Sequence, residues 1–457
     1  MKMSESNAVN EVSQLIRYHE RGDGITYNGK PSYTIENAAD TITRTGYSWN
    51  GKNVTDTAAI VTYSFRDDGV PVTDAQKTII KSAMESWSDV ANITFKEVED
   101  TTEQQKVGFV IVNDPNMKQT GASGSFPISG NNKYLKIGPT IGDLNNTNPP
   151  ENIKNLYTHE LGHILGLSHP GNYDASGGTP LSYDSQAKYA EDNNMFTVMT
   201  YWGSGHVGGE FGHNHSPYSP QVDDIAAAQK LYGANMSTRT GDDVYGFHNT
   251  TGKAYYTALE GKPAPIFAIW DAGGNDTLDF SGYLQDQRIN LNEGSISDVG
   301  GLKGNISIAA GVTIENAIGG ADNDVIVGNS ADNLIKGGGG NDIIYGSGGQ
   351  DILWGGSGND TFVFSELNDS PISSPDKVMD FESGKDKIDL SFFNQIEEGH
   401  DFIHFVEHFS GHAGEALLSY DSQNNLSELA LNLNGNANPD FLVQLVGKVE
   451  VTTDVIA

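Results

Sequence analysis

The sequence predicts two unlike folds in one chain of 457 residues: an α+β domain to about residue 235, then an all-β parallel β-roll. Three observations point there. The first half carries a helix-spaced run, His159-Glu160-Leu161-Gly162-His163, that continues through Gly166 to His169. The second half carries a nine-residue repeat in unbroken register from Gly319 to Val363. The chain has 60 acidic residues against 27 basic ones and no cysteine, so ions rather than disulfides must staple it outside a cell.

The elements of the first half follow from their patterns. Val9 to Tyr18 reads as a short amphipathic helix. Tyr33-Thr34-Ile35 opens the body of the first domain, and Ala58 to Phe65 is strand-like. Asp74 to Val90 places Ile79, Ile80, Met84, Trp87 and Val90 on one helical face. A further helix is expected to begin near Pro149-Pro150, since proline suits a first helical turn, and to carry the His-Glu motif. Asp223 to Tyr232 reads as a last helix, stopped by Gly233.

The motif helix carries chemistry. His159 and His163 are four apart, so their imidazoles project from one helical face and can share one metal ion. Glu160 can reach a metal-bound water without being a ligand. Gly166 supplies the left-handed turn that ends the helix, after which the chain returns His169 to the same ion. Three protein ligands leave a position for water, the arrangement of a catalytic zinc site. A bare H-E-x-x-H is weak on its own; the glycine and the third histidine make it specific. Val198-Met199-Thr200-Tyr201 reads as a Met-turn, which together with the extended motif fits a metzincin zinc protease.

Five repeat units fill the second half: GGADNDVIV, GNSADNLIK, GGGGNDIIY, GSGGQDILW and GGSGNDTFV. The sixth position holds Asp324, Asn333, Asp342, Asp351 and Asp360; the eighth holds Ile326, Ile335, Ile344, Leu353 and Phe362. Such units form a parallel β-roll that binds calcium. Two units make one coil, so Asp324 should face Asp342, Asn333 should face Asp351, and Asp342 should face Asp360. Turn residues Gly319, Asp322, Gly337, Gly339, Gly346 and Gly348 complete hard oxygen cages suited to Ca2+. Asn333 stands where the repeat has aspartate, so the Asn333–Asp351 site should be weaker or differently charged. The exact period and the phased apolar residues exclude a flexible glycine linker.

Nearly the whole chain, from Tyr33–Gly51 through the zinc motif and Tyr232-Gly233 to the C-terminus, resembles the serralysin family of secreted bacterial metalloproteases. The resemblance implies that Tyr201 is a further zinc ligand that swings away to hydrogen-bond the oxyanion. It also implies calcium ligands in Arg239-Thr240-Gly241-Asp242-Asp243, in Asp271-Ala272-Gly273-Gly274-Asn275-Asp276 and at Thr313 and Glu315. Asp243 stands where the family commonly has threonine. Residues 1–19 are implied to be a helix packed on the C-terminal domain, 20–235 the protease, and 236–457 the calcium-binding roll with an uncleaved secretion signal ending Asp454-Val455-Ile456-Ala457. Partners so implied are a type I secretion channel and a periplasmic proteinaceous inhibitor.

The expected activity is a secreted, calcium-stabilised zinc endopeptidase of broad specificity. Zinc brings the pKa of bound water to about 7, and Glu160 takes its proton and delivers it to the leaving amine. An extended protein or peptide substrate is expected to lie beside an edge strand near Gly121–Phe126. The competing class is a calcium-dependent binding or adhesive module with a lost protease activity; the intact His159, Glu160, His163, His169 and Tyr201 disfavour it. A net charge of −33 argues against nucleic acid and anionic membranes as partners. No apolar stretch is long enough to span a membrane, and a monomer is expected. The N-terminus, Met1-Lys2-Met3-Ser4-Glu5-Ser6, lacks a secretory signal's apolar run, and Met1 to Asn7 reads as part of a short propeptide or an added leader. No function is assigned to His206, His213, His215 or the trio His400, His404 and His408.

Overall fold

A computed structural model of the chain describes residues 6–99, 107–117, 121–128, 133–138, 150–174, 181–393 and 403–457. Met1–Glu5, Pro149 and His400 lie outside the described residues.

The first half is built on a five-stranded sheet in the order Ile93–Glu97, Ala59–Phe65, Phe109–Asn113, Tyr134–Ile137, Ala122–Gly124. All neighbours are parallel except the last pair, which leaves Ala122–Gly124 as an antiparallel edge strand. Along Ala59–Phe65 the side chains alternate as a half-covered sheet demands: Val61 is buried while Ile60 is 71% exposed. Helix α1 spans Asn7–Ile16, α2 Ile35–Ile42 and α3 Asp74–Val90. Thr73 and Gln76 form a reciprocal capping box that fixes the start of α3, and Ile80, Met84, Trp87 and Val90 turn into the core.

Helix α4, Glu151–Ile164, carries the metal motif and begins directly after Pro150. Trp87 Nε1 donates to the Thr158 carbonyl at 3.1 Å, tying α3 to α4. The orphan carbonyls at its C-terminus are met by side chains: Ile164 by Trp49 Nε1 at 2.9 Å, and Leu165 by the Tyr232 hydroxyl at 2.6 Å. Gly166 has φ 99° and a Cβ there would overlap the Tyr47 carbonyl oxygen, so glycine is required at this turn. A short α5 (Tyr183–Gln186) precedes α6 (Val222–Tyr232), which stops at Gly233.

The second half winds as the repeat predicts. Successive strands alternate between two sheets, and strands on one side pair in parallel one coil apart: Leu334 with Ile352, and Ile326 with Ile344. The five eighth-position residues are fully buried between the sheets. The roll extends well beyond the repeat. One sheet has ten strands from Val244–Gly246 to His404–Phe405, and the other has six from Arg288–Asn290 to Val455–Ile456. His404 lies in a strand rather than on a helix, so the helical spacing of the 400–408 histidines carries no geometry.

Helix α1 packs Val9, Val12 and Leu15 on Val325, Val327, Tyr345 and Val363 of the roll. It starts and ends two residues earlier than its pattern suggests: the Ser6 hydroxyl caps Val9 N–H, and His19 adopts a left-handed φ of 53° just beyond. The chain then crosses to the protease, where Arg21 makes a bidentate pair with Asp223 at 2.7 and 3.1 Å. Other contacts among the described residues link the halves. Glu210 and Lys303 exchange backbone hydrogen bonds at 3.0 and 3.1 Å, and Asp89 at the end of α3 receives Arg239 at 3.2 Å and the Tyr255 hydroxyl at 2.5 Å.

His19 is a half-buried base on this crossing, with its Nε2 shut off from solvent. Burial, aided by the Arg21 charge, lowers its pKa to about 4. The folded state therefore resists protonation that the unfolded chain accepts below about 6.5, and stability is lost as pH falls from 6.5 toward 4. His19→Asn, which tolerates the left-handed backbone, should flatten the dependence of stability on pH in that window by about one proton. Denaturant titrations at pH 6.5, 5.5 and 4.5 would read it; an unchanged slope would exclude His19 as the source.

Candidate active site

The motif brings three imidazoles to one point. The Nε2 atom of His169 lies 3.2 Å from that of His159 and 3.1 Å from that of His163. Each opposite nitrogen is committed to a backbone carbonyl: His159 Nδ1 to Val198 at 2.7 Å, His163 Nδ1 to Leu167 at 2.7 Å, and His169 Nδ1 to Tyr173 at 2.9 Å. A carbonyl only accepts, so each Nδ1 carries the proton and each Nε2 presents a lone pair. Burial first, then the neighbouring imidazoles, holds His163 well below its ordinary pKa and brings His169 to about 4. Three converging lone pairs without a donor would cost about 1–3 kcal/mol each, and a cation resolves this. Neutral, oriented imidazoles are what zinc requires, and the donor set fits it.

The surrounding elements fix those carbonyls. Val198 belongs to the turn Thr197–Tyr201, whose Met199 is fully buried beneath the site; a Cβ on Gly162 would overlap its sulfur. Asp224, in the first turn of α6, accepts from Thr197 Oγ1 at 2.6 Å and Val198 N–H at 2.7 Å. One carboxylate thus holds the residue whose carbonyl orients His159. Sequence reading missed Asp224, because an acidic residue in a first helical turn reads as an ordinary dipole partner.

Glu160 is buried on the same face, and its Oε2 accepts the Gly124 N–H at 2.6 Å. Burial raises its pKa, opposed by His159 and by that N–H. A Cβ on Gly124 would overlap the Glu160 carbonyl oxygen, which explains glycine in this edge strand. Tyr201 is 39% exposed, with its ring centroid 4.5 Å from that of His169. His215 pairs with Glu151 at 3.3 Å at the start of α4, and His206 stacks on Tyr183; neither joins the histidine cluster.

On the roll, a carboxylate on each side of a coil caps the backbone of the preceding coil. Asp342 Oδ1 accepts Asp324 N–H at 2.8 Å, Asp351 accepts Asn333 N–H at 2.7 Å, and Asp360 accepts Asp342 N–H at 2.9 Å. These are the three facing pairs expected from the period. The series continues where the repeat has ended: Asp376 caps Asp351 at 2.8 Å and Asp386 caps Asp360 at 3.1 Å. Both were missed because their spacings are 25 and 26 residues rather than 18. The signal that finds them is an acidic residue two before an inward apolar one, as in Asp376-Lys377-Val378 and Asp386-Lys387-Ile388.

The second carboxylate oxygens of Asp342, Asp351, Asp360 and Asp376 are buried without a partner, as is that of Asp276. Burial pushes Asp342 up to about 8 and Asp360 to about 6. Asn333 differs: its amide donates to the Glu315 carbonyl at 2.8 Å and accepts Asn329 N–H at 2.9 Å, so it is already saturated. Asp243, Asp271 and Asp276 bring carboxylate oxygens within 4.8 Å of one another. Asp276 Oδ1 accepts Asp243 N–H at 2.7 Å, and Glu315 accepts Asp276 N–H at 2.8 Å, which sets these residues on the same ladder.

This fold and site define a zinc metalloendopeptidase of the metzincin type followed by a β-roll. A family model described as matrixin matches residues 48–190, and one described as peptidase M10 serralysin C terminal matches 234–457. The chain is 50% identical over 468 residues to Serralysin C of Dickeya chrysanthemi, covering 99% of this chain and 96% of that one. It is 44% identical to Metalloprotease AprA of Pseudomonas entomophila (strain L48), over 99% of this chain and 96% of the relative. Serralysin of Proteus mirabilis is 45% identical over 95% of each. The chain belongs to the serralysin family, a protease family whose substrates are peptides.

Replacing Asp224 by alanine would strand three buried donors, Thr197 Oγ1, Val198 N–H and Gln221 N–H. A stability loss of about 2–4 kcal/mol is expected, with faster zinc loss to a chelator as His159 loses its anchor. Denaturant midpoints and zinc content after timed chelation would measure both; a variant with unaltered zinc retention would separate Asp224 from the metal site.

Proposed function

We propose that His159, His163 and His169 hold the catalytic zinc, that Glu160 is the general base, and that Tyr201 serves as a further zinc ligand and oxyanion donor. The convergence of three Nε2 lone pairs beside a buried carboxylate carries this reading. Zinc bound there supplies a Lewis acid that makes water nucleophilic near neutral pH. The Ala122–Gly124 strand offers its outer edge to an extended peptide and aligns the scissile bond through main-chain hydrogen bonds. Gly124 N–H holds one oxygen of Glu160, leaving the other to take a proton from the attacking water. Burial raises the affinity of Glu160 for that proton, which it then passes to the leaving amine. The exposed Tyr201 hydroxyl swings to hydrogen-bond the developing oxyanion, worth a few kcal/mol.

Calcium is the proposed partner of the roll. Its ligands are the carboxylates of Asp324, Asp342, Asp351, Asp360 and Asp276, with Glu315, Asp243, Asp271 and turn carbonyls; Asp376 and Asp386 extend the set. The unpartnered buried oxygens support this, since a row of such charges is unfavourable without cations. Little calcium in a cytosol would keep the roll open for export through a type I channel. Abundant calcium outside would close it, giving an extracellular monomer that a periplasmic inhibitor could restrain.

Glu160→Ala should retain one zinc per chain and lose nearly all casein cleavage in millimolar calcium. Full cleavage by a zinc-loaded variant would remove Glu160 from the mechanism. Circular dichroism in excess chelator should show loss of roll structure that returns on adding calcium; an unchanged spectrum would refute calcium-driven folding.

A further inference from the structure

Beside the histidine cluster, and outside the machinery described so far, lies a second buried carboxylate. Asp192 has no solvent exposure. Its Oδ1 accepts two hydroxyl hydrogen bonds, from Tyr173 at 2.7 Å and from Thr200 Oγ1 at 2.7 Å. The two donors belong to different segments, and each reaches the metal site by its own path. The Tyr173 carbonyl accepts His169 Nδ1–H, and the Tyr173 ring stacks on the His169 ring at 5.1 Å and 15°. Thr200 precedes Tyr201 directly. Its hydroxyl gives its proton to Asp192 and accepts the Trp202 N–H at 3.1 Å, which closes the turn that carries Tyr201.

We propose that Asp192 is a positioning residue that yokes His169 and Tyr201 to a common geometry. The proposal rests on the reading of both residues as zinc-site groups. A purely structural role explains the arrangement poorly. Asp192 is fully buried, and the Trp202 indole N–H is directed at its carboxylate beside the two hydroxyls. A carboxylate kept under those conditions costs stability, and an apolar residue of similar volume would pack the position more cheaply. What an apolar residue could not do is fix two hydroxyl rotors at once. With Asp192 in place, the Thr200 hydroxyl has one orientation and its lone pair faces Trp202 N–H. Tyr173 is pinned at both ends, by its hydroxyl and by its carbonyl.

The two arms separate in experiment. Tyr173→Phe deletes one hydroxyl but keeps the ring stack and the carbonyl. In the calcium-loaded full chain it should weaken zinc about 10-fold by chelator competition, with kcat of the zinc-saturated enzyme within about twofold of wild type. Thr200→Val should leave zinc affinity within about threefold but lower kcat about 10-fold or more at unchanged KM, and Thr200→Ser should restore it. Asp192→Ala should show both losses. Thermal midpoints of the same samples separate these effects from unfolding. His169→Ala serves as the reference. If it loses zinc while Tyr173→Phe and Asp192→Ala keep wild-type affinity, the yoke is refuted and the zinc-site reading survives. If His169→Ala keeps wild-type affinity, both fall. Lowered midpoints with wild-type zinc affinity and kcat would reduce Asp192 to a structural residue and overturn the proposal.

Discussion

The catalytic half depends on three hydrogen bonds from imidazole Nδ1–H groups to backbone carbonyls. They decide which nitrogen of each histidine is free, and hence whether a metal can be bound at all. The three carbonyls come from separate places: the Met-turn, the turn that ends α4, and the loop beyond His169. Much of the surrounding architecture reads as support for those three peptides. Trp49 and Tyr232 close the end of α4, Gly166 lets the chain turn there, and Asp224 grips the Met-turn from α6.

The two halves use burial to opposite ends. At His163 and His169, burial keeps the rings neutral, which makes them better ligands. Along the roll, burial forces carboxylates close to backbone amides and to one another, raising the affinity of each for a proton or a cation. A net charge of −33 adds to the cost of setting those carboxylates side by side. The joints between the halves, at Asp89–Arg239 and Glu210–Lys303, tie the α+β domain to the roll.

What the sequence made legible was whatever had a period or a fixed spacing. Helix α3 lies at Asp74–Val90 because its apolar stripe and cap box are both local. The roll and its facing pairs follow from a repeat of nine, and the metal histidines from spacings of four and six. Hidden residues act across long separations with no pattern of their own. Asp224 reaches back 26 residues to Val198, Asp376 reaches 25 to Asp351, and Gly124 reaches 36 to Glu160. Irregular loops between coils broke the count at Asp376 and Asp386, though the local grammar of acid and inward apolar residue persisted.

Asp389 has a consequence of another kind. The Ser6 hydroxyl at the head of α1 donates to its carboxylate, across 383 residues of chain, and its backbone pairs with Ile456 in the terminal strand. The first and last described segments therefore meet at one residue on one sheet. Loose ends are where proteases begin to cut. With Ser6 and Ile456 both held at Asp389, the described end segments are tied into the sheet rather than left open to cleavage.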